Sequence, residues 1–146
     1  ERMSGTGRGA VMIVPMLNQH TLLLVREYCG GTHTYELGFP KGLIDAGESA
    51  AEAANRELKE EIGYGTEKLT LVQTVAMAPA FFDAKMTIFL AENLYAEKLV
   101  GDEPEALDIV PWPLSNYRQL LQEPDFNEAR SIAALLLIED HMRGIL

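Results

Sequence analysis

Gly42-Leu43-Ile44-Asp45-Ala46-Gly47-Glu48-Ser49-Ala50-Ala51-Glu52-Ala53-Ala54-Asn55-Arg56-Glu57-Leu58-Lys59-Glu60-Glu61-Ile62-Gly63-Tyr64 passes from a glycine-punctuated loop into the best helix of the sequence. Ser49 and Glu52 have the S-x-x-E spacing of a capping box, and Gly63 supplies a left-handed stop. Ala50, Ala54, Leu58 and Ile62 recur every four residues and predict the buried stripe of a helix over Ser49 to Ile62. Glu57, Glu60 and Glu61 fall on neighbouring positions of one face. Like charges at that spacing weaken a helix by a few tenths of a kcal/mol per pair, and a helix built only for solubility would interleave them with lysines. Carboxylates converging on one edge are what a hard divalent cation takes as ligands, with water and substrate phosphate completing the shell. From the helix alone, a solvated acidic face explains them equally well.

Outward from this stretch, strand and helix signals alternate. Ala10 to Leu17 and Thr21 to Tyr28 are β-rich apolar runs separated by Asn18-Gln19-His20, and predict a hairpin. Thr34 to Leu37 is a short strand, and Gly38 to Gly47 reads as loop because it carries three glycines and a proline. Strands are expected over Leu69 to Met77, Lys85 to Leu94 and Ile109 to Trp112, with an acidic loop over Gly101 to Glu105. Ser115 to Gln122 predicts a short helix. Asp125-Phe126-Asn127-Glu128 has the spacing of a second capping box, opening a helix from about Glu128 to Met142. Strands interleaved with two or three helices give an α/β or α+β sandwich.

The chain has 146 residues, of which 47% are hydrophobic and 23% charged, the balance of one folded domain spanning 1–146. No apolar run approaches the roughly 20 residues a membrane-spanning helix needs, so no membrane role is expected. A single cysteine, Cys29, excludes an internal disulfide. No charged-then-apolar leader opens the chain, and the expected compartment is cytoplasmic. Twelve basic against 22 acidic residues leave a formal charge of −10. A nucleic-acid grip needs a basic footprint, so no nucleic-acid partner is expected. Phosphorylated small molecules stay open, because divalent cations can sit between an acidic site and a polyphosphate.

The loop and helix together resemble the Nudix box, with Gly42, Glu48, Arg56, Glu57, Leu58, Glu60, Glu61, Gly63 and bulky Tyr64 each at a defining position. Chance agreement somewhere in a chain of this length is on the order of one in ten million at ordinary residue frequencies. Pro79, 15 residues after Tyr64, is similar to the mark of the ADP-ribose pyrophosphatase branch. The stretches Tyr35-Glu36-Leu37-Gly38-Phe39, Met77-Ala78-Pro79, Gly101-Asp102-Glu103-Pro104-Glu105 and Pro124 to Arg130 look like those of bacterial ADP-compounds hydrolases, from about Gly9 onward. The resemblance implies a Nudix α/β/α sandwich, a mixed sheet flanked by helices. It also implies a magnesium-dependent hydrolase of ADP-ribose, NADH and diadenosine polyphosphates, working as a homodimer. Mg²⁺, with Mn²⁺ as a substitute, would be held as two to three ions per site.

Carried over by motif position, Glu57 and Glu61 are the principal metal ligands, with Glu60 close by as a further ligand or a catalytic water-holder and the backbone carbonyl of Lys41 as another ligand. Glu48 and Arg56 are implied to pair and hold the loop against the helix, while Gly42 and Gly63 serve backbone geometry. In the acidic loop, Glu103 is implied as the base and Glu105 as a metal ligand. Without the resemblance, that run of acids reads as solvated surface. Pro79 and Phe82 are candidate substrate contacts, although Phe81 and Phe82 beside a strand are more often core.

Two departures bear on substrate. Many ADP-ribose pyrophosphatases place an arginine at the strand edge where this chain has Cys29, leaving Arg26 as the candidate phosphate contact. Relatives also carry a small N-terminal β segment that supplies part of the adenine pocket, and this chain is expected to lack it. Competing readings are a Nudix hydrolase of another nucleoside-diphosphate derivative, such as a sugar nucleotide or a capped RNA end, and a non-hydrolytic nucleotide-sensing module.

Overall fold

The structure, a computed structural model, describes residues 9–101 and 107–144. Two strands, β1 (Ala10–Asn18) and β2 (Thr21–Cys29), form the expected hairpin around Gln19-His20. They then diverge. Into the wedge come β3 (Thr34–Gly38), which pairs with β2, and β4 (Lys41–Leu43), which pairs with β1. The Ile13 amide donates to the Pro40 carbonyl at 2.9 Å and seals the point where the wedge opens. Part of the stretch expected as loop is therefore strand. Lys41, Gly42 and Leu43 carry no strand signal of their own and gain it from the open edge of β1.

The helix α1 (Ala50–Ile62) follows, then β5 (Tyr64–Ala76) and β6 (Lys85–Ala96), a long antiparallel pair. Strand β6 runs parallel to β1, which makes the sheet mixed. Strand β7 (Asp108–Pro113) pairs with β2 on its other side. The described strands thus run β3-β2-β1-β6-β5, with β4 against β1 and β7 against β2. Among the described residues, a 3-10 turn (Leu114–Asn116), a one-turn α2 (Tyr117–Leu120) and α3 (Ala129–Met142) complete the fold. The helix expected over Ser115 to Gln122 is accordingly broken in two. Trp112 Nε1 donates to the Asn116 carbonyl at 2.9 Å and ties the turn to β7.

Alternation along the central strands builds two cores. Ala10, Met12, Val14 and Met16 of β1, with Leu22, Leu24, Met86, Ile88 and Leu90, pack on one face against Leu120, Phe126, Ala134, Leu135 and Ile138. Val11, Ile13, Leu23, Val25, Phe89 and Ala91 face the other way and cover Ala53, Ala54, Leu58 and Ile62 of α1. Each fully buried aliphatic side chain stabilises by about 1.5–3 kcal/mol relative to exposure, so both helices are clamped by the sheet they sandwich. The result is an α/β/α arrangement. Among the described residues, no helix is long and apolar enough to cross a membrane.

Both ends of α1 form as the sequence predicts. Ser49 Oγ accepts from the Glu52 amide at 3.1 Å, the Ser49 amide donates to Glu52 Oε1 at 2.9 Å, and Gly63 closes the helix at φ 77°. The start of α3 differs. Asp125 does not cap it; Glu128 does, accepting from the Arg130 and Ser131 amides at 3.0 Å each. Asp125 is engaged elsewhere, taking two hydrogen bonds from Arg26 of β2, at 3.0 and 3.2 Å.

Candidate active site

The box loop is fastened to α1 by one guanidinium. Arg56 forks onto Glu48, with Nε donating to Oε2 at 2.6 Å and Nη2 to Oε1 at 3.0 Å. Nη2 also reaches the Leu43 carbonyl at 3.1 Å, and Glu48 Oε1 accepts from the Asp45 amide at 2.9 Å. Bidentate geometry of this kind fixes orientation as well as charge. The Arg56 hydrogen bond holds the Glu48 carboxyl below the usual carboxylate range.

The same guanidinium reaches the acids at the helix edge. Nη1 donates to Glu57 Oε2 at 3.0 Å and lies 3.4 Å from Glu60 Oε1. Glu57 is pushed up from its ordinary pKa by burial, against the opposing pull of a hydrogen bond with Glu61 and of the Arg56 charge. Glu61 is only 6% exposed, on the apolar side of the helix beside Leu58 and Ile62. An acid placed there costs stability unless something pairs with it, and here the Glu57 carboxyl lies against it.

Gly42 of β4 explains how the two elements approach. A β-carbon at residue 42 would collide with the Glu57 carboxyl. Only a bare backbone leaves room for that carboxyl beside the Lys41–Gly42 peptide, where the expected carbonyl ligand lies. The donor set is all oxygen and suits a hard cation such as Mg²⁺, which characteristically takes one or two carboxylates and leaves its remaining positions to water and phosphate. Glu57, Glu61 and the Lys41 carbonyl fit that demand. Among the described residues, no group of three or more His, Cys, Asp or Glu side chains is already arranged as a metal cage. Arg56 instead neutralises part of the acidic edge. Glu103 and Glu105 lie outside the described residues.

The other sequence candidates scatter. Arg26 is committed to Asp125 at 3.0 Å, with both side chains about a third exposed. Pro79 and Phe82 stand exposed in the turn between β5 and β6, and Phe81, 86% exposed, is not core. The Phe81 and Phe82 amides both donate to the Ala78 carbonyl, a turn that throws the two rings outward. Met77, at the start of this turn, touches Arg130 at the beginning of α3, its Sδ 3.6 Å from Nη1. A cavity of about 230 Å³ extends from Lys41 between β2, β3 and the start of α3. Its polar lining includes Glu27, Glu36, Glu128, Arg130 and Ser131, none of which sequence reasoning placed in the site, Glu128 being read only as part of a capping box. Their signal is tertiary: they meet only because β3 pairs with β2 and α3 begins beside it.

The NUDIX domain profile matches residues 6–136. The chain belongs to the Nudix family. This Nudix hydrolase is 56% identical over 144 residues to the ADP compounds hydrolase NudE of Escherichia coli, an alignment covering 99% of this chain and 77% of that protein. It is 27% identical to the ADP-ribose pyrophosphatase of Bacillus subtilis over 90% of this chain and 72% of that one. A crystal structure of an ADP compounds hydrolase superposes with a TM-score of 0.91 at 56% identity, covering 95% of this chain and 75% of that one. The fold is accordingly the Nudix fold, a mixed sheet with flanking helices.

Proposed function

We propose that this Nudix hydrolase is a Mg²⁺-dependent pyrophosphohydrolase of ADP-linked compounds, with ADP-ribose, NADH and diadenosine polyphosphates as substrates and AMP as a product. The observation that carries the reading is the placement of the Glu57 carboxyl against the bare backbone of Gly42, with Glu61 hydrogen-bonded to it and the neighbouring Lys41 lining a cavity. Similarity to an ADP compounds hydrolase over nearly the whole chain supports the substrate class.

In this reading Glu57, Glu61, Glu105 and the Lys41 carbonyl hold two to three ions, with Glu60 orienting water beside them. Bound there, divalent cations neutralise the diphosphate and make water a stronger nucleophile at neutral pH. Glu103 takes a proton from the attacking water as its oxygen bonds to phosphorus. The bridging P–O bond breaks, giving AMP and ribose 5-phosphate from ADP-ribose, or AMP and reduced nicotinamide mononucleotide from NADH. Glu48, Arg56, Gly42 and Gly63 keep loop and helix in register. Pro79 and Phe82 present an exposed turn on which a base can stack. Arg26 reaches a phosphate only by leaving Asp125. The working form is a cytoplasmic homodimer.

The test is AMP release from ADP-ribose, NADH and diadenosine triphosphate, with and without Mg²⁺, beside a Glu61→Gln control. AMP that requires both metal and Glu61 supports the hydrolase, and the order of substrates defines its preference. Mg²⁺-dependent binding of ADP-ribose without AMP would favour a nucleotide-sensing module instead.

A further inference from the structure

The cavity beyond Lys41 contains an unsolved electrostatic problem. Glu27 of β2 and Glu36 of β3 sit directly opposite each other in the antiparallel register, a placement in which like charges destabilise a sheet. Glu27 has a counter-ion, Lys41 Nζ at 3.5 Å. Glu128 is likewise occupied, capping α3 and pairing with Arg130 Nε at 2.8 Å. Ser131 Oγ accepts from the Phe39 amide at 3.2 Å. Glu36 differs from all of these. Its Oε1 is buried and has no hydrogen-bond partner among the described residues.

A buried acceptor without a donor is costly and rare, and the residue that carries it lines a cavity of about 230 Å³. That volume is below the ~300–1,000 Å³ of pockets enclosing whole drug-sized ligands, so it suits one portion of a substrate. The two cations lining it, Lys41 and Arg130, are already paired with carboxylates. The space therefore offers hydrogen-bond acceptors and little free positive charge, which is wrong for a phosphate and right for hydroxyl donors. A carboxylate reading the diol of a ribose is an established solution to that recognition problem.

We propose that Glu36 is a specificity-determining residue that accepts hydrogen bonds from a vicinal sugar diol of the substrate, seated in this cavity. The inference rests on the ADP-compound reading above and adds the group that selects for sugar hydroxyls. Both the adenosine ribose and a terminal ribose carry that chemistry.

The experiment is calorimetric titration of the full chain and of Glu36→Gln with ADP-ribose, with its analogue lacking the adenosine 2′-hydroxyl, and with its analogue lacking the terminal-ribose hydroxyls. AMP release is measured alongside. Glu36→Gln is expected to weaken ADP-ribose binding by roughly tenfold, raising KM with kcat little changed. One analogue should bind the wild type about as weakly and lose nothing more on substitution, and that analogue identifies the ribose. Equal losses on all three ligands, or no loss on any, would overturn the proposal. The melting temperature of Glu36→Gln should be at least that of the wild type, since the substitution relieves Glu27. A lower one would make Glu36 structural support and overturn it too. If the wild type binds but releases no AMP, the hydrolase reading fails, while the pattern of binding still decides the role of Glu36.

Discussion

Gly42 and Glu57 approach so closely that a β-carbon on residue 42 would collide with the Glu57 carboxyl group. A strand of three residues thus sets the position of a helix side chain, and Gly42→Ala is the smallest change that moves it. The substitution touches neither apolar core, so the fold should persist. The rise in melting temperature on adding Mg²⁺ should shrink, and AMP release should fall about 10–100-fold, the usual consequence of disturbing what orients a ligand. Thermal melts across a Mg²⁺ series, with activity assayed in parallel, check both parts.

Arg56 answers Asp45, Glu48, Glu57 and Glu60 at once, and its side chain is only 23% exposed. Removing it leaves four acids without their common counter-ion. Arg56→Ala should destabilise by about 2–3 kcal/mol, somewhat under the 3–5 kcal/mol typical of breaking a fully buried pair. Arg56→Lys keeps the charge and loses the fork, so it should recover only part of that. Urea unfolding near neutral pH distinguishes the three proteins.

How much of this could be read from the chain varies with the range of the forces involved. Both ends of helix α1 were legible, because its box at Ser49–Glu52 and its stop at Gly63 are local chemistry. That Glu57, Glu60 and Glu61 share one face was legible for the same reason, since spacing on one helix fixes which side chains are neighbours, whereas the pairing of Arg56 with Glu48 was implied by the family resemblance alone. Asp125 misled because Glu128 competes for the same cap and Arg26, 99 positions away, claims Asp125. Strand β4 was hidden because only the edge of β1 makes it a strand. Glu36 carried no sequence signal, since its meaning depends on facing Glu27 across the sheet.

Strand β5 begins at Tyr64, five residues before the expected Leu69, and Gly65 shows why. Tyr64 to Lys68 has little apolar alternation, but a β-carbon at Gly65 would run into the Tyr95 ring of the paired strand. Cross-strand packing of that ring therefore holds the early part of β5. Gly65→Ala should cost about 1–3 kcal/mol through overpacking. Adding Tyr95→Ala should make the alanine at 65 nearly harmless, a non-additivity that a double-mutant cycle in urea measures.

Glu128 holds the first turn of α3 through the Arg130 and Ser131 amides. Burial pushes its pKa up, but hydrogen bonds from Arg130 and from the helix amides outweigh that and leave it lowered. A carboxyl lowered in the folded state binds fewer protons there than when unfolded. Its stabilisation is present above the unfolded pKa and is lost as pH falls through the lowered folded value. Glu128→Ala should cost about 1 kcal/mol near pH 7, as loss of a cap does. The gap between variant and wild type should close in acid. Denaturation at a series of pH values measures the closure.

Glu57 has the opposite sign. Burial raises its pKa above the ordinary carboxylate value, outweighing the hydrogen bond with Glu61 and the pull of Arg56. The folded chain therefore binds more protons at this site than the unfolded one. The associated stability is fully present below the unfolded pKa and is lost as pH rises through the raised folded value. In chelator, wild type should lose melting temperature relative to Glu57→Gln across that window, then run parallel to it at higher pH. A divalent cation favours the ionised carboxylate, so Mg²⁺ should raise the wild-type melting temperature most at the alkaline end and the variant's hardly at all. Melts of both proteins from about pH 4 to about pH 8, in chelator and in Mg²⁺, test the sign directly. A wild-type curve that rises with pH in chelator relative to the variant would show that Arg56 and Glu61 together outweigh burial.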